Sequence, residues 1–369
     1  MLIPGYATLE GTARYRDRFA SKMPGHFRDA GGLWLASIGL GTYLGDPTTA
    51  IDARYREAVL RALESGTNVL DTAVNYRFQR SERAIASALS ALLALGTLRR
   101  DEVFIATKGG FLSFDTDEPD DPSAYFEEKL IRTGLVRPEE VVAGCHVMSP
   151  RFLEDQVEVS RRNLGIETID LYYLHNPETQ LKEISREEFA RRLAAAFAAL
   201  EKAVAEGKIR AYGTATWNAY RVAMGADDAL SLADVLRVAE EVGGEGHHFR
   251  AIQLPFNLAM PEALTANTQP FDGGQVPALQ VARTRGLMVF ASASLLQGKL
   301  AQGLPADIQK RFPGLEKDAQ RAVQFVRSTP GVTSALVGMT RPEHVAENLA
   351  TAAVARLSLE DFRAIFTGA

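Results

Sequence analysis

The stretch TNVLDTAVNY, residues 67–76, sets a short run from Thr67 to Leu70 directly before Asp71, with Tyr76 five residues later. The arrangement recurs twice. Val103 to Thr107 leads into Lys108, and Ile169 to Leu174 leads into His175. Short, largely apolar runs of this kind read as buried strands of a parallel sheet. If such strands close into a barrel, their C-terminal ends share one face, and that face is where catalysis sits.

Working outward, strand-like and helix-like segments alternate along the chain. Leu35–Leu40 reads as a strand and Arg54–Glu64 as a helix. Ser81–Leu95 is helical, after the run at Thr67. Ser149-Pro150 reads as a helix start that runs through Arg162 to Gly165. Further strands are expected at Ile209–Tyr212, Ala251–Leu254, Leu287–Ala291 and Ser334–Val337. Helices are expected at Glu187–Glu206, Leu232–Val242, Pro277–Arg285, Ala319–Ser328 and onward from Pro342. About eight strand–helix units predict an α/β fold, a (β/α)₈ TIM barrel, over a doubly wound open sheet.

The expected layout is an N-terminal arm or hairpin over residues 1–34, packed on a barrel over residues 35–369. Tyr6, Tyr15, Phe19 and Phe27 mark that arm. The acidic insert from Ser113 to about Gly144 reads as a long solvated loop on the catalytic face.

A net charge of −5 gives no global attraction for nucleic acid or acidic lipid. The single cysteine, Cys145, allows no disulfide within the chain and fits a reducing compartment. Met1–Ala7 does not read as a signal peptide, and no run approaches the ~18 apolar residues of a membrane span. The expectation is a cytoplasmic protein. Cys145-His146 reads as structural, and Glu245 with His247-His248 as a polar loop, so no metal is expected. Gly39, Gly41 and Gly45 lack the spacing of a Rossmann loop.

The four polar residues suit carbonyl reduction with a nicotinamide cofactor. Free tyrosine and lysine have pKa values of about 10 and about 10.4. A lysine cation beside a phenol strengthens it as an acid, and a carboxylate keeps that lysine charged and placed. A histidine at the next strand end can donate to the carbonyl oxygen and orient it.

At these residues the chain resembles the aldo-keto reductases. The resemblance rests on Gly39-Leu40-Gly41-Thr42, on Asp71-Thr72-Ala73 with Tyr76 and Ser81-Glu82, and on Lys108. It continues through Asp170 to His175, Gln253 to Asn257, Gly298-Lys299-Leu300, and Gly338 through Glu347-Asn348. It implies a barrel that binds an extended nicotinamide cofactor without a metal. Tyr76 is then the proton donor, Lys108 and Asp71 its tuners, and His175 the carbonyl orienter. The implied cofactor set is Gly41, Thr42, Tyr43, Asp71, Thr216, Gln253, Ser292, Leu295, Gly298, Gly338, Thr340, Arg341, His344, Glu347 and Asn348. Thr340 and Arg341 are expected at a 2′-phosphate and Glu347 with Asn348 at adenine, which favours NADP(H) over NAD(H). Arg77, Asn176 and Trp217 are the expected substrate contacts.

Several positions depart from that family's pattern. Ala215-Thr216 stands where it usually has Ser-Asn, and Ser292 where it usually has an aromatic on the nicotinamide. The ring is then less firmly held, or held by another side chain such as Trp217. Arg77 replaces a frequent glycine, and with Arg80 it suggests acidic or heavily hydroxylated substrates, or else ordinary ion pairs. The leading expectation is an NADP(H)-dependent oxidoreductase on an aldehyde, ketone or sugar. The alternatives are a cofactor-binding regulatory subunit and a sugar isomerase or lyase with tightly bound NADP(H). Oligomeric state is not legible.

Overall fold

The chain enters through a helix, Leu9–Phe19, and a hairpin of β1 (Phe27–Ala30) and β2 (Leu33–Ala36). It then builds β3 (Ile38–Gly41), β4 (Val69–Asp71), β5 (Phe104–Gly109), β6 (Leu171–His175), β7 (Tyr212–Ala215) and β8 (Phe249–Pro255). A small hairpin, β9 (Gln269–Phe271) and β10 (Gly274–Val276), interrupts before β11 (Met288–Ser292) and β12 (Ser334–Gly338). In this computed structural model, which describes residues 1–367, β3 to β8 and then β11 and β12 form a closed, wholly parallel barrel. Positions 368 and 369, assigned to the barrel segment from sequence, lie outside the described residues.

Each barrel strand is followed by a helix, from Thr49–Glu64 after β3 to Pro342–Ala350 after β12. The helix starts follow local chemistry. Thr48 caps Thr49–Glu64 by accepting from the Ile51 N–H, and Ser185 caps Arg186–Ala205 by accepting from the Glu188 N–H. Pro150 opens its helix, and Gly165 closes it at a φ of 68° that disfavours a side chain.

The strands are buried on both faces because helices cover the outside and side chains fill the lumen. Phe104 on β5 stacks on Phe290 of β11, diagonally across the barrel, at 5.6 Å between centroids. Tyr173 of β6 meets Phe290 edge-on. These rings pack the lumen with apolar side chains.

Several expectations shift. The run Leu35–Leu40 is two strands, because the chain changes partner at Ser37: β2 pairs with β1 and β3 with β12 and β4. An unbroken apolar run carries no mark of that switch. The fifth barrel strand is Tyr212–Ala215, not Ile209–Tyr212. Ile209 makes only an isolated bridge to Ile169, whereas Tyr212 through Ala215 pair with Tyr172 through His175. The helix Leu9–Phe19 was unexpected, and so were β9 and β10. The insert after β5 is not merely solvated. It carries a helix, Pro122–Phe126, and a π-helical turn, Glu127–Ile131, and its Val136 joins Val147 and Phe152, beyond the insert, in a small core. Among the described residues, no helix is long and apolar enough to cross a membrane.

Candidate active site

Strand register assembles the site. Asp71 at the end of β4 lies opposite Ala106 of β5, two residues before Lys108. Side chains two apart on a strand share a face, so Lys108 points with Ala106 into the lumen beside Asp71. Lys108 Nζ donates to Asp71 Oδ1 at 2.6 Å and to the Thr72 carbonyl at 2.7 Å. Gln253 of β8 donates from Nε2 to Asp71 Oδ2 at 2.7 Å. Both carboxylate oxygens are thereby held.

Tyr76 lies in the loop after β4, and the Lys108 ammonium sits 4.8 Å from its ring centroid. The loop then turns through three consecutive left-handed residues, Arg77, Phe78 and Gln79, with φ of 51°, 55° and 68°. That conformation is costly for residues with a Cβ. Arg77 helps fix it. Its guanidinium is buried, donates to the Asp46 and Thr48 carbonyls, and pairs with Asp52 at 2.5 Å. Arg80 shares that carboxylate. Arg77 therefore faces away from the cleft, and the expected substrate contact is corrected to an anchor of the tyrosine loop.

His175 ends β6 with its ring 5.8 Å from Tyr76 and 5.0 Å from Phe111. Its backbone carbonyl accepts from His146 Nε2 at 2.7 Å, while Gln180 Nε2 lies 2.9 Å from His146 Nδ1 and donates to it. The Cys145-His146 pair thus contributes a histidine that supports the strand end.

Burial and charge act together here. Burial alone would lower Lys108, but Asp71 and Tyr76 more than offset it, so the ammonium stays protonated well past neutrality. Burial also pushes the Asp71 carboxyl up, against the Lys108 charge and the Lys108 and Gln253 hydrogen bonds that favour its ionised form. The 2.6 Å contact and raised lysine describe a charged pair. Burial raises the Tyr76 phenol and Lys108 opposes that rise, so Tyr76 keeps its proton at pH 7. His175 is held well below its ordinary value by burial, and by Lys108 and His146, so it is neutral.

Above this group opens a cleft of about 1230 Å³. Of the sequence-expected cofactor residues, Gly41, Thr42, Tyr43, Asp71, Thr216, Gln253, Ser292, Leu295, Gly298, Gly338, Thr340, His344, Glu347 and Asn348 all line it. Arg341 does not: it is exposed, at the N-cap of Pro342–Ala350. Asn176 and Trp217 also line the cleft, Trp217 being about half exposed. Lys317 and Arg321 also line it and were missed. They precede and enter the helix Asp318–Ser328, far from β11 in sequence, so no motif announced them. Lys317 pairs with Glu347 and Arg321 with Asp318. Glu178 does not line the cleft but holds the backbone of Trp217, which does. Its Oε1 accepts from the Trp217 N–H at 2.6 Å, and burial pushes its carboxyl up to about 7.

The cleft fits an extended dinucleotide. It reaches from His175 to Asn348, whose Oδ1 is buried without a hydrogen-bond partner and offers an acceptor at the far end. Gln253 spends an N–H on Asp71 and keeps its amide carbonyl for the cleft.

The model of the aldo/keto reductase family matches residues 37–235, which include all four catalytic candidates. The chain is 31% identical over 202 residues to a D-threo-aldose 1-dehydrogenase of Pseudomonas sp, covering 50% of this chain and 51% of that protein. It is 29% identical over 190 residues to an NADH-specific methylglyoxal reductase of Escherichia coli (strain K12), covering 50% and 49%. The chain spans about half the length of the curated relatives it matches. An aldo/keto reductase from Klebsiella pneumoniae, solved with NADP and acetate, shares the fold at a TM-score of 0.61 and 23% identity, over 93% of each chain. A glycerol dehydrogenase from Gluconobacter oxydans shares it at a TM-score of 0.64 and 20% identity, over 93% of this chain and 95% of that one.

Proposed function

Because this chain belongs to the aldo/keto reductase family, we propose that it is an NADP(H)-dependent oxidoreductase of a small aldehyde, ketone or sugar, with Tyr76 as general acid and base. The observation that carries this reading is the Asp71–Lys108 pair buried beneath Tyr76, with His175 alongside, at the floor of a dinucleotide-sized cleft.

Bound nicotinamide would supply or accept the hydride. The chain's own residues do the rest. The Gln253 carbonyl and Thr216 would hold the carboxamide, Ala215 offering no hydroxyl there. Neutral His175 has one N–H to give a carbonyl oxygen, which orients the substrate. Tyr76 transfers its proton to that oxygen, and Lys108 stabilises the phenolate left behind. Asp71 and Gln253 keep Lys108 charged and in place. In the reverse direction the phenolate takes the alcohol proton.

Three cleft-lining positions support a phosphate at the far end: Thr340, His344 and Lys317. They favour NADP(H), with Arg341 no longer required. A relative named as NADH-specific makes the preference worth measuring. Nucleotide extracted from the purified protein identifies the cofactor. NADPH absorbance against a panel of carbonyls and sugars then tests turnover. Net oxidation of NADPH is the expected result. Substrate conversion without net redox change would favour the isomerase reading. Tight nucleotide binding with no conversion would favour the regulatory one.

A further inference from the structure

The opposite end of the barrel carries a second concentration of charge. The hairpin β1–β2 lays Arg28 across it, and Arg28 donates to the carbonyls of Val332 and Arg327. Arg327 is fully buried. Its Nε donates to Ser37 Oγ at 3.0 Å, and its Nη1 to Gln324 Oε1, Thr351 O and Val354 O at 2.7 to 3.1 Å. Its Nη2 is buried without a partner, and so is Arg28 Nε. Arg356 is exposed, with its Nε 3.5 Å from where a Cβ on Gly25 would stand.

These partners are carbonyls, an amide and a hydroxyl. They satisfy N–H groups but cancel no charge. Like charge bears on both, from Arg356 and Arg327 on Arg28 and from Arg356 on Arg327, and among the described residues no carboxylate pairs with any of the three. Burial, and then like charge, push Arg28 and Arg327 down to about 9. Buried cations are ordinarily paired, and an unpaired one is costly. This chain has 46 acidic residues against 41 basic ones, so counter-ions are not scarce. Yet none among the described residues pairs with these arginines. Of the three, Arg356 lines a groove of about 550 Å³, together with Pro24, Gly25, Pro330, Leu357 and Ser328, the residue next to Arg327 in the chain. Ser328 Oγ accepts from the Leu357 N–H and keeps its own O–H to donate.

We propose that this groove binds a small phosphate-type oxyanion, seated on Arg356 and Ser328 in the combined field of Arg28 and Arg327. Planar guanidinium forks suit such an anion. The anion would tie the hairpin to the segment after the last barrel helix, at the end remote from Tyr76. The site thus acts on stability rather than on the reaction.

The test is thermal unfolding of the whole protein at fixed ionic strength, exchanging potassium chloride for potassium phosphate. The wild type should show a saturable rise in Tm of about 2 to 4 °C. Arg356 is exposed, so Arg356→Gln should fold normally, lose at least half of that rise, and bind phosphate at least ~10-fold more weakly by calorimetry. Glycerol 3-phosphate in place of phosphate separates the sources: an equal rise means that a phosphate ester is admitted, and no rise means that the site takes the free ion. An equal phosphate response in the variant and the wild type would overturn the proposal, placing the anion elsewhere. So would a response no larger than that to chloride.

Discussion

Gln253 and Asp71 stand on opposite strands of the barrel, β8 and β4, and meet across its mouth at 2.7 Å. The amide takes one carboxylate oxygen and Lys108 takes the other at 2.6 Å. The residue best placed to hold a carboxamide is therefore also the residue that fixes the lysine's counter-ion. The proposed cofactor seat and the proposed proton-transfer group share one hydrogen-bonded unit.

Gln253→Leu should disturb both halves. It leaves Asp71 Oδ2 without its donor in a buried site, at a cost of about 1–3 kcal/mol. Urea unfolding should show that loss, and nucleotide titration should show weaker binding. Unchanged stability would mean that the Gln253–Asp71 contact contributes nothing net.

Tyr76→Phe removes the proton but keeps the ring. The rate of carbonyl reduction should fall at least ~100-fold, while the Kd for nucleotide stays within a few-fold. A variant with wild-type kcat would remove the phenol from the mechanism.

Lys108→Met breaks a buried ion pair and strands the Asp71 charge. Removing one partner of such a pair costs about 3–5 kcal/mol. Denaturation should report a loss of that order at pH 7. Adding Asp71→Asn should restore part of the stability but none of the activity. No recovery in the double variant would argue against charge stranding as the cause.

Arg77→Ala should act through the loop. The left-handed turn at Arg77, Phe78 and Gln79 loses the contacts to Asp46, Thr48 and Asp52. Turnover should fall by the same factor for neutral and acidic substrates, with a lower Tm. A loss confined to acidic substrates would return Arg77 to the pocket.

Acid should destabilise the fold through its histidines. Burial holds His26 down to about 3 and His146 down to about 4, against about 6.5 when unfolded. Between those values the unfolded chain binds more protons, so stability rises with pH. The contribution is complete above about pH 6.5 and is lost as pH falls toward 4 and then 3. Each histidine adds a slope of up to about 1.4 kcal/mol per pH unit. His146→Gln should flatten the profile between pH 6.5 and 4.5. An identical profile would exclude His146 as a source.

The parts legible in sequence were those that depend on neighbours along the chain. The apolar run before Asp71, the run before Lys108 and the run before His175 each signalled a buried strand, and each strand formed within a few residues of its expected place. The Pro150 start and Gly165 stop were equally local. Boundaries failed where pairing decides them. Nothing in Leu35–Leu40 shows the exchange of partner at Ser37, and nothing in Ile209–Tyr212 shows that the ladder begins in earnest at Tyr212.

Side-chain direction was likewise beyond the sequence. Arg77 follows Tyr76 directly, yet a left-handed turn aims it away from the cleft. Arg341 sits in an expected loop but outside the cleft, while Lys317 and Arg321 reach it from the start of a helix that no motif connects to it. The sequence by itself determined the strand–helix alternation and the residue types proposed for proton transfer, because periodicity and motif are local properties. Tertiary structure decided which groups meet: Asp71 with Gln253 across the barrel, and at its far end three arginines that no carboxylate pairs with among the described residues. Closure of the sheet brings together positions that chain distance keeps apart.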